Sequence, residues 1–100
     1  MQEKEGAKML KEFVELHPQW MYQGGRVVGV KFGCPHCTCT LAVAFENPPD
    51  GGPAAVNLVL GENAGKRWQR TGETLETLTL HPSVDAEGHW HGWVKAGKLA

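Results

Sequence analysis

Three cysteines within six residues constrain this chain more than any other feature: Cys34-Pro35-His36-Cys37-Thr38-Cys39. An odd number of thiols in one short stretch suits a single local site and not a disulfide framework. A C-x-x-C turn between two strands can aim both sulfurs at one point. Its backbone amides then face the thiolates and soften their charge. Zinc takes four ligands in a tetrahedron, with sulfur at about 2.3 Å and imidazole nitrogen at about 2.0–2.1 Å. The C-x-x-C pair supplies half of such a site, so further ligands must come from elsewhere in the chain.

The obvious donor is the late segment Gly88-His89-Trp90-His91-Gly92. Residues two apart in a strand share a face, so His89 and His91 can reach one metal while Trp90 points away. Cys37 and Cys39 have the same relation if the backbone is already extended there. Two ligand sets follow. One is Cys34, Cys37, His89 and His91. The other is Cys34, Cys37, Cys39 and His91, with Cys39 in place of His89. The first is preferred because it closes the sheet from two distant pieces of chain. His17, His36 and His81 read as surface or capping histidines.

The rest of the chain predicts an α+β, mostly β fold: a small antiparallel sheet with one N-terminal helix. Met9, Leu10, Phe13, Val14 and Leu16 form an apolar stripe at helical spacing over about Glu3 to Leu16, ended by His17-Pro18. Arg26 to Phe32 and Thr40 to Phe45 read as a hairpin with the cysteines at its tip. Asn47 to Pro53 is a loop. Ala55 to Leu60, Thr74 to Leu80 and His89 to Val94 read as further strands. Trp20, Trp68, Trp90 and Trp93 are expected in the core or on sheet faces, because burying such a ring is strongly favourable. One hundred residues make one domain, with a helical segment over 1–22 and a β-rich zinc-knuckle core over 23–100.

A net charge of -1 offers no bulk attraction for nucleic acid or an anionic membrane. No apolar run approaches the roughly 20 residues of a membrane span. Met1 to Glu5 lacks a signal-peptide start, so a cytoplasmic location is expected, where thiols stay reduced. Two decoys share letters with the cysteine turn. A thioredoxin-type dithiol needs its first cysteine at a helix N-terminus, but Thr40 to Phe45 has no polar helical face. A zinc deaminase needs an H-x-E segment, and there is none.

Several segments also match a known pattern. Cys34-Pro35-His36-Cys37 follows an aromatic-bearing strand. Thr77-Leu78-Thr79-Leu80-His81-Pro82-Ser83-Val84 precedes His89-Trp90-His91-Gly92-Trp93-Val94 and then Gly97. Together they resemble a small phage- and prophage-associated zinc-knuckle family of unknown function. Its pattern joins C-P-x-C, T-L-x-P-S-[IV] and a late H-x-H or C-x-x-H. The likeness runs from Phe32 to Lys98. It implies that Cys34, Cys37 and the late histidines are metal ligands, in a phage or mobile-element context, and it implies no activity. The chain departs from the pattern at His89, near which many relatives carry a cysteine.

The expected function is a binding role towards a protein partner, with zinc as a structural element. The alternative is a nucleic-acid-binding module, because Lys66, Arg67 and Arg70 surround Trp68 as in single-strand binders. A second alternative is an enzyme, either a zinc hydrolase or a thiol oxidoreductase. Its proton-transfer groups would be Glu87 and His81, near the late histidines in sequence.

Overall fold

The computed structural model describes residues 12–59, 64–86 and 89–100. Most of the predicted helix, and the acid Glu87, lie outside them. The described part of the helical stretch is a single 3-10 turn, Phe13–Leu16. Strands β1 (Gln19–Gln23), β2 (Arg26–Gly33) and β3 (Thr40–Ala44) form one antiparallel sheet in that order. Strands β4 (Gln69–Thr71), β5 (Thr79–Ala86), β6 (Trp90–Lys95) and β7 (Lys98–Leu99) form a second. The described residues are thus mostly β, as the composition of the segments implies.

Alternation explains which faces are buried. In β2, Val28, Val30 and Phe32 are buried, and in β6 Trp90, Gly92 and Val94. One apolar cluster joins both sheets and includes Phe13, Phe32, Val43, Trp68, Leu80, Val84 and Trp90. Phe32 sits at its centre, edge-on to Phe13 at 4.9 Å and to Trp90 at 6.1 Å between ring centroids. Such pairs add about 0.5–1.5 kcal/mol beyond the area they bury.

Three of the expected strands need correction. The described part of Ala55 to Leu60 is not a strand. Asn57 has a left-handed φ of 56°, which breaks an extended run. The backbone of Val56 is instead held by the side chain of Gln23 at 3.2 and 3.4 Å. Thr74 to Leu78 is also not a strand, and β5 begins only at Thr79. The hydroxyls of Thr74 and Thr77 lie 2.9 Å apart, and that of Thr77 bonds the N–H and carbonyl of Thr74, competing with a sheet ladder. The strand expected from His89 begins at Trp90, with His89 in a turn closed by its own N–H to the Ala86 carbonyl at 2.8 Å.

The turn between β6 and β7 locks the core shut. Gly97 has φ 78°, its N–H donates to the Leu78 carbonyl, and its carbonyl accepts from Phe13, both at 2.8 Å. A Cβ at this position would lie 1.9 Å from the Glu76 carbonyl oxygen. Gly97→Ala therefore meets both a backbone clash and an unfavourable φ. It should cost about 1–3 kcal/mol, and each kcal/mol lowers the melting temperature of a domain this size by about 4–8 °C. Thermal unfolding followed by circular dichroism checks this; an unchanged midpoint would contradict the packing described.

Candidate functional site

The cysteine turn caps the β2–β3 hairpin. The last register pair is Gly33 with Thr40, and beyond it the Cys34 N–H donates to the Cys39 carbonyl at 2.8 Å. That bond closes a six-residue loop and directs Cys34 inward, where it joins the core cluster. The His36 amide points at the Cys34 sulfur at 3.4 Å.

His89 reaches this turn from the other sheet. Its Nδ1 lies 3.3 Å from the Cys37 sulfur, and its carbonyl lies 3.0 Å from the His36 Nδ1. The ligand atoms of Cys34, Cys37 and His89 all fall within 4.8 Å of one another, close enough to bind one metal ion. Tetrahedral zinc with the usual bond lengths separates its ligands by about 3.5–3.8 Å. The His89–Cys37 distance needs only a small adjustment to match. Two thiols and an imidazole are also the donor types that zinc takes.

The thiols differ chemically. Burial pushes the Cys34 thiol up. Cys37 is brought down to about 6, first by its hydrogen bond with His89 and then by the Cys39 backbone amide. In metal-free protein at pH 7, Cys37 is then mainly thiolate and Cys34 mainly thiol. Iodoacetamide should modify Cys37 first, at a rate rising through pH of about 6. Peptide mapping of partly alkylated protein measures the order; faster modification of Cys34 would contradict it.

The structure places His91 elsewhere. It stands on the outward face of β6, with Nε2 3.1 Å from the Ser83 hydroxyl oxygen. The three-residue thiol–imidazole cluster does not include it. The register of the β5–β6 hairpin explains the meeting. Val84 pairs with Gly92 and Asp85 with His91, but Leu80 pairs with Val94. Four steps along β5 therefore face two along β6, so His81, Pro82 and Ser83 stand against Trp93 alone and β5 bulges there. The peptide bond between His81 and Pro82 is cis. A bulge re-aims side chains, and here it turns Ser83 towards His91 diagonally across the hairpin.

Ser83 is also held from beneath. Its carbonyl accepts a bond from the indole N–H of buried Trp68 at 3.2 Å. Asp85 stands directly opposite His91 in register, on the same outward face. A half-buried serine with an imidazole on its hydroxyl and a carboxylate opposite that imidazole is a nucleophile–base arrangement. The sequence alone gave Ser83 no chemical role. The signal lay in the resemblance pattern, which contains this serine, but a lone serine in a loop carries no chemistry until its partner is known.

The basic stretch is explained by packing. Trp68 is buried at 3% exposure and presents no stacking face. Arg67 donates to the Ala55 carbonyl at 3.1 Å. Arg70 donates to the carbonyls of Asn47 and Gly72 at 3.0 and 2.9 Å. Among the described residues, no helix is long and apolar enough to cross a membrane.

Residues 9–100 match the family model described as "Bacterial ubiquitination-like system serine protease (BubE)", which leaves only the first eight residues unmatched. No curated protein and no solved structure matches the chain.

Proposed function

This chain belongs to the bacterial ubiquitination-like system serine protease (BubE) family, and we propose that it is a hydrolase of that system in which Ser83 is the nucleophile and His91 the general base. The observation that carries this reading is the 3.1 Å contact between the Ser83 hydroxyl and His91 Nε2. The substrate class is a protein amide or ester bond, and the partner is accordingly a protein. This reading draws nothing from a phage context.

The chemistry follows from the geometry. With its Nδ1 protonated, neutral His91 accepts the Ser83 hydroxyl proton at Nε2 as the oxygen attacks the scissile carbonyl. The imidazolium then returns that proton to the departing amine or alcohol. Water then attacks the acyl carbonyl and gives a proton to His91, which passes it to the Ser83 oxygen as the acyl–oxygen bond breaks and the acid product leaves. Asp85, opposite His91 in register on the same face, supplies a negative charge that favours the imidazolium. The Trp68 indole fixes the backbone of the nucleophile through the Ser83 carbonyl.

The cysteine turn has a separate role in this reading. Cys34, Cys37 and His89 would hold a zinc ion, with Cys39 as the fourth ligand in place of His91. Cys39 stands outside the close-set group of Cys34, Cys37 and His89 but bonds the Cys37 thiol from two residues away, so a small shift of the exposed turn would bring it in. Bound there, zinc supplies a cross-link between the β2–β3 hairpin and the start of β6. The chain's own residues then position the base: His89 is fixed in the turn, Trp90 is packed on Phe32, and His91 follows on the outer face.

Two experiments test these assignments. A fluorophosphonate probe should label the protein at Ser83, read by intact mass and peptide mapping. Ser83→Ala should abolish labelling, and His91→Ala should slow it by about 10⁴-fold. Labelling that persists in Ser83→Ala, or none in the wild type, would remove the nucleophile assignment. Separately, a strong chelator should lower the melting temperature sharply, because structural zinc contributes about 10–16 kcal/mol of apparent binding energy in small peptides. Cys39→Ser should weaken zinc retention strongly and His91→Ala should leave it intact, as measured by metal content after dialysis. The opposite ranking would return His91 to the ligand set.

A further inference from the structure

The outward face of the β5–β6 hairpin continues past the serine–histidine pair. His91, Trp93 and Lys95 alternate along β6 and share that face, and His81 and Ser83 lie across from them on the bulge. The His81 ring lies against the Trp93 ring, with centroids 5.9 Å apart and planes tilted by 38°. The Lys95 ammonium sits over the same indole, 4.7 Å from its centroid. Trp93 is itself immobilised, because its N–H and carbonyl both bond Ala100, at 2.8 and 3.0 Å.

This is an unusual use of a lysine. An exposed ammonium normally projects into water, and an exposed cation–π contact gains only about 0.5–1 kcal/mol. Among the described residues, Lys95 has no carboxylate partner; Arg26 and Lys98, by contrast, are paired with Asp50 and Glu12. The result is an unneutralised positive charge lying flat on a rigid aromatic surface. Trp93 is two residues from His91 and Lys95 is four. At about 3.3 Å per residue that puts them about 7 and 13 Å along the strand from the base. An extended substrate crossing Ser83 would lay residues two to four positions from its cleaved bond over this patch. At the other end of this face, level with His91, stands Asp85, of the other sign.

From this face we infer that Trp93 and Lys95, with His81 beside them, form a substrate subsite that takes an acidic side chain. The Asp or Glu carboxylate pairs with the Lys95 ammonium, and its methylene groups lie on the indole. Asp85, level with His91, disfavours an acidic residue beside the base, at the end of the face away from Lys95. The substrate class is therefore a peptide segment acidic on one side only. This inference rests on the reading of Ser83 as nucleophile.

The test uses the full chain and a proteome-derived peptide library, with cleavage sites read by mass spectrometry and fluorophosphonate labelling of Ser83 run in parallel. Asp and Glu should be enriched about three- to ten-fold two to four residues from the cleaved bond, on one side and not the other. Lys95→Gln should erase the enrichment. Lys95→Glu should replace it with Lys and Arg at the same position, a change that a loss of stability cannot mimic. Ser83-dependent cleavage with no such enrichment, enrichment that survives Lys95→Glu, or labelling without cleavage of acidic peptides each overturns the subsite and leaves the nucleophile standing. Absence of both labelling and cleavage overturns the nucleophile and the subsite together.

Discussion

Trp68 is the junction on which the rest of the molecule depends. Its N–H donates to the Ala44 carbonyl at 2.8 Å and its carbonyl accepts from Glu46 at 2.7 Å, so its backbone is stitched to the end of β3. Its ring enters the shared core, and its indole N–H reaches the Ser83 carbonyl in the second sheet. One residue thus gives the two sheets a common backbone contact, a common apolar contact and a common polar one. A buried indole N–H without a partner costs about 1–3 kcal/mol, so the Ser83 carbonyl is not free to drift. Positioning of the serine and cohesion of the sheets come from the same side chain.

The two late histidines show how a short motif can serve two sites. The H-x-H reading treats both rings as residues of one strand, which must then share a face. His89 lies one residue before β6 begins, in a turn where no alternation applies. Its ring goes to the thiols, whereas His91, inside the strand, goes to the outer face and Ser83. The buried Trp90 between them packs against Phe32, so both histidines are tied to one rigid anchor.

The features most legible in the sequence were those with local causes. The β2–β3 hairpin announces itself through β-branched runs on either side of the cysteine turn, and the donor types pointed to Cys34, Cys37 and His89, which lie close together, but equally to His91, which does not join them. Strand β1 was not legible, because Gln19–Gln23 is an edge strand with mixed polarity that depends on pairing with β2. Strand β4 is three residues long and exists through its register with β5. Ser83 was hidden for a similar reason. Its role comes from a bulge, and a bulge is a mismatch between two strands that neither segment records by itself. Lys66 to Arg70 looked like a nucleic-acid stripe because charge next to tryptophan reads the same whether the ring faces water or core.

The contacts of Phe13 reach far along the chain. Its ring is fully buried against Phe32, and its N–H is satisfied only by Gly97, 84 positions later (97 − 13). A neighbouring ion pair joins Glu12 to Lys98. Contacts so distant in sequence are slow to form, since the loop between them must close before they are made. During synthesis the ribosome releases Phe13 long before it releases Gly97. Until then the front of the β2–β3 hairpin carries an aromatic residue with no lid and a backbone donor with no acceptor. Completion of this fold therefore waits for the β6–β7 turn, and until that turn has emerged the central cluster stays open to water.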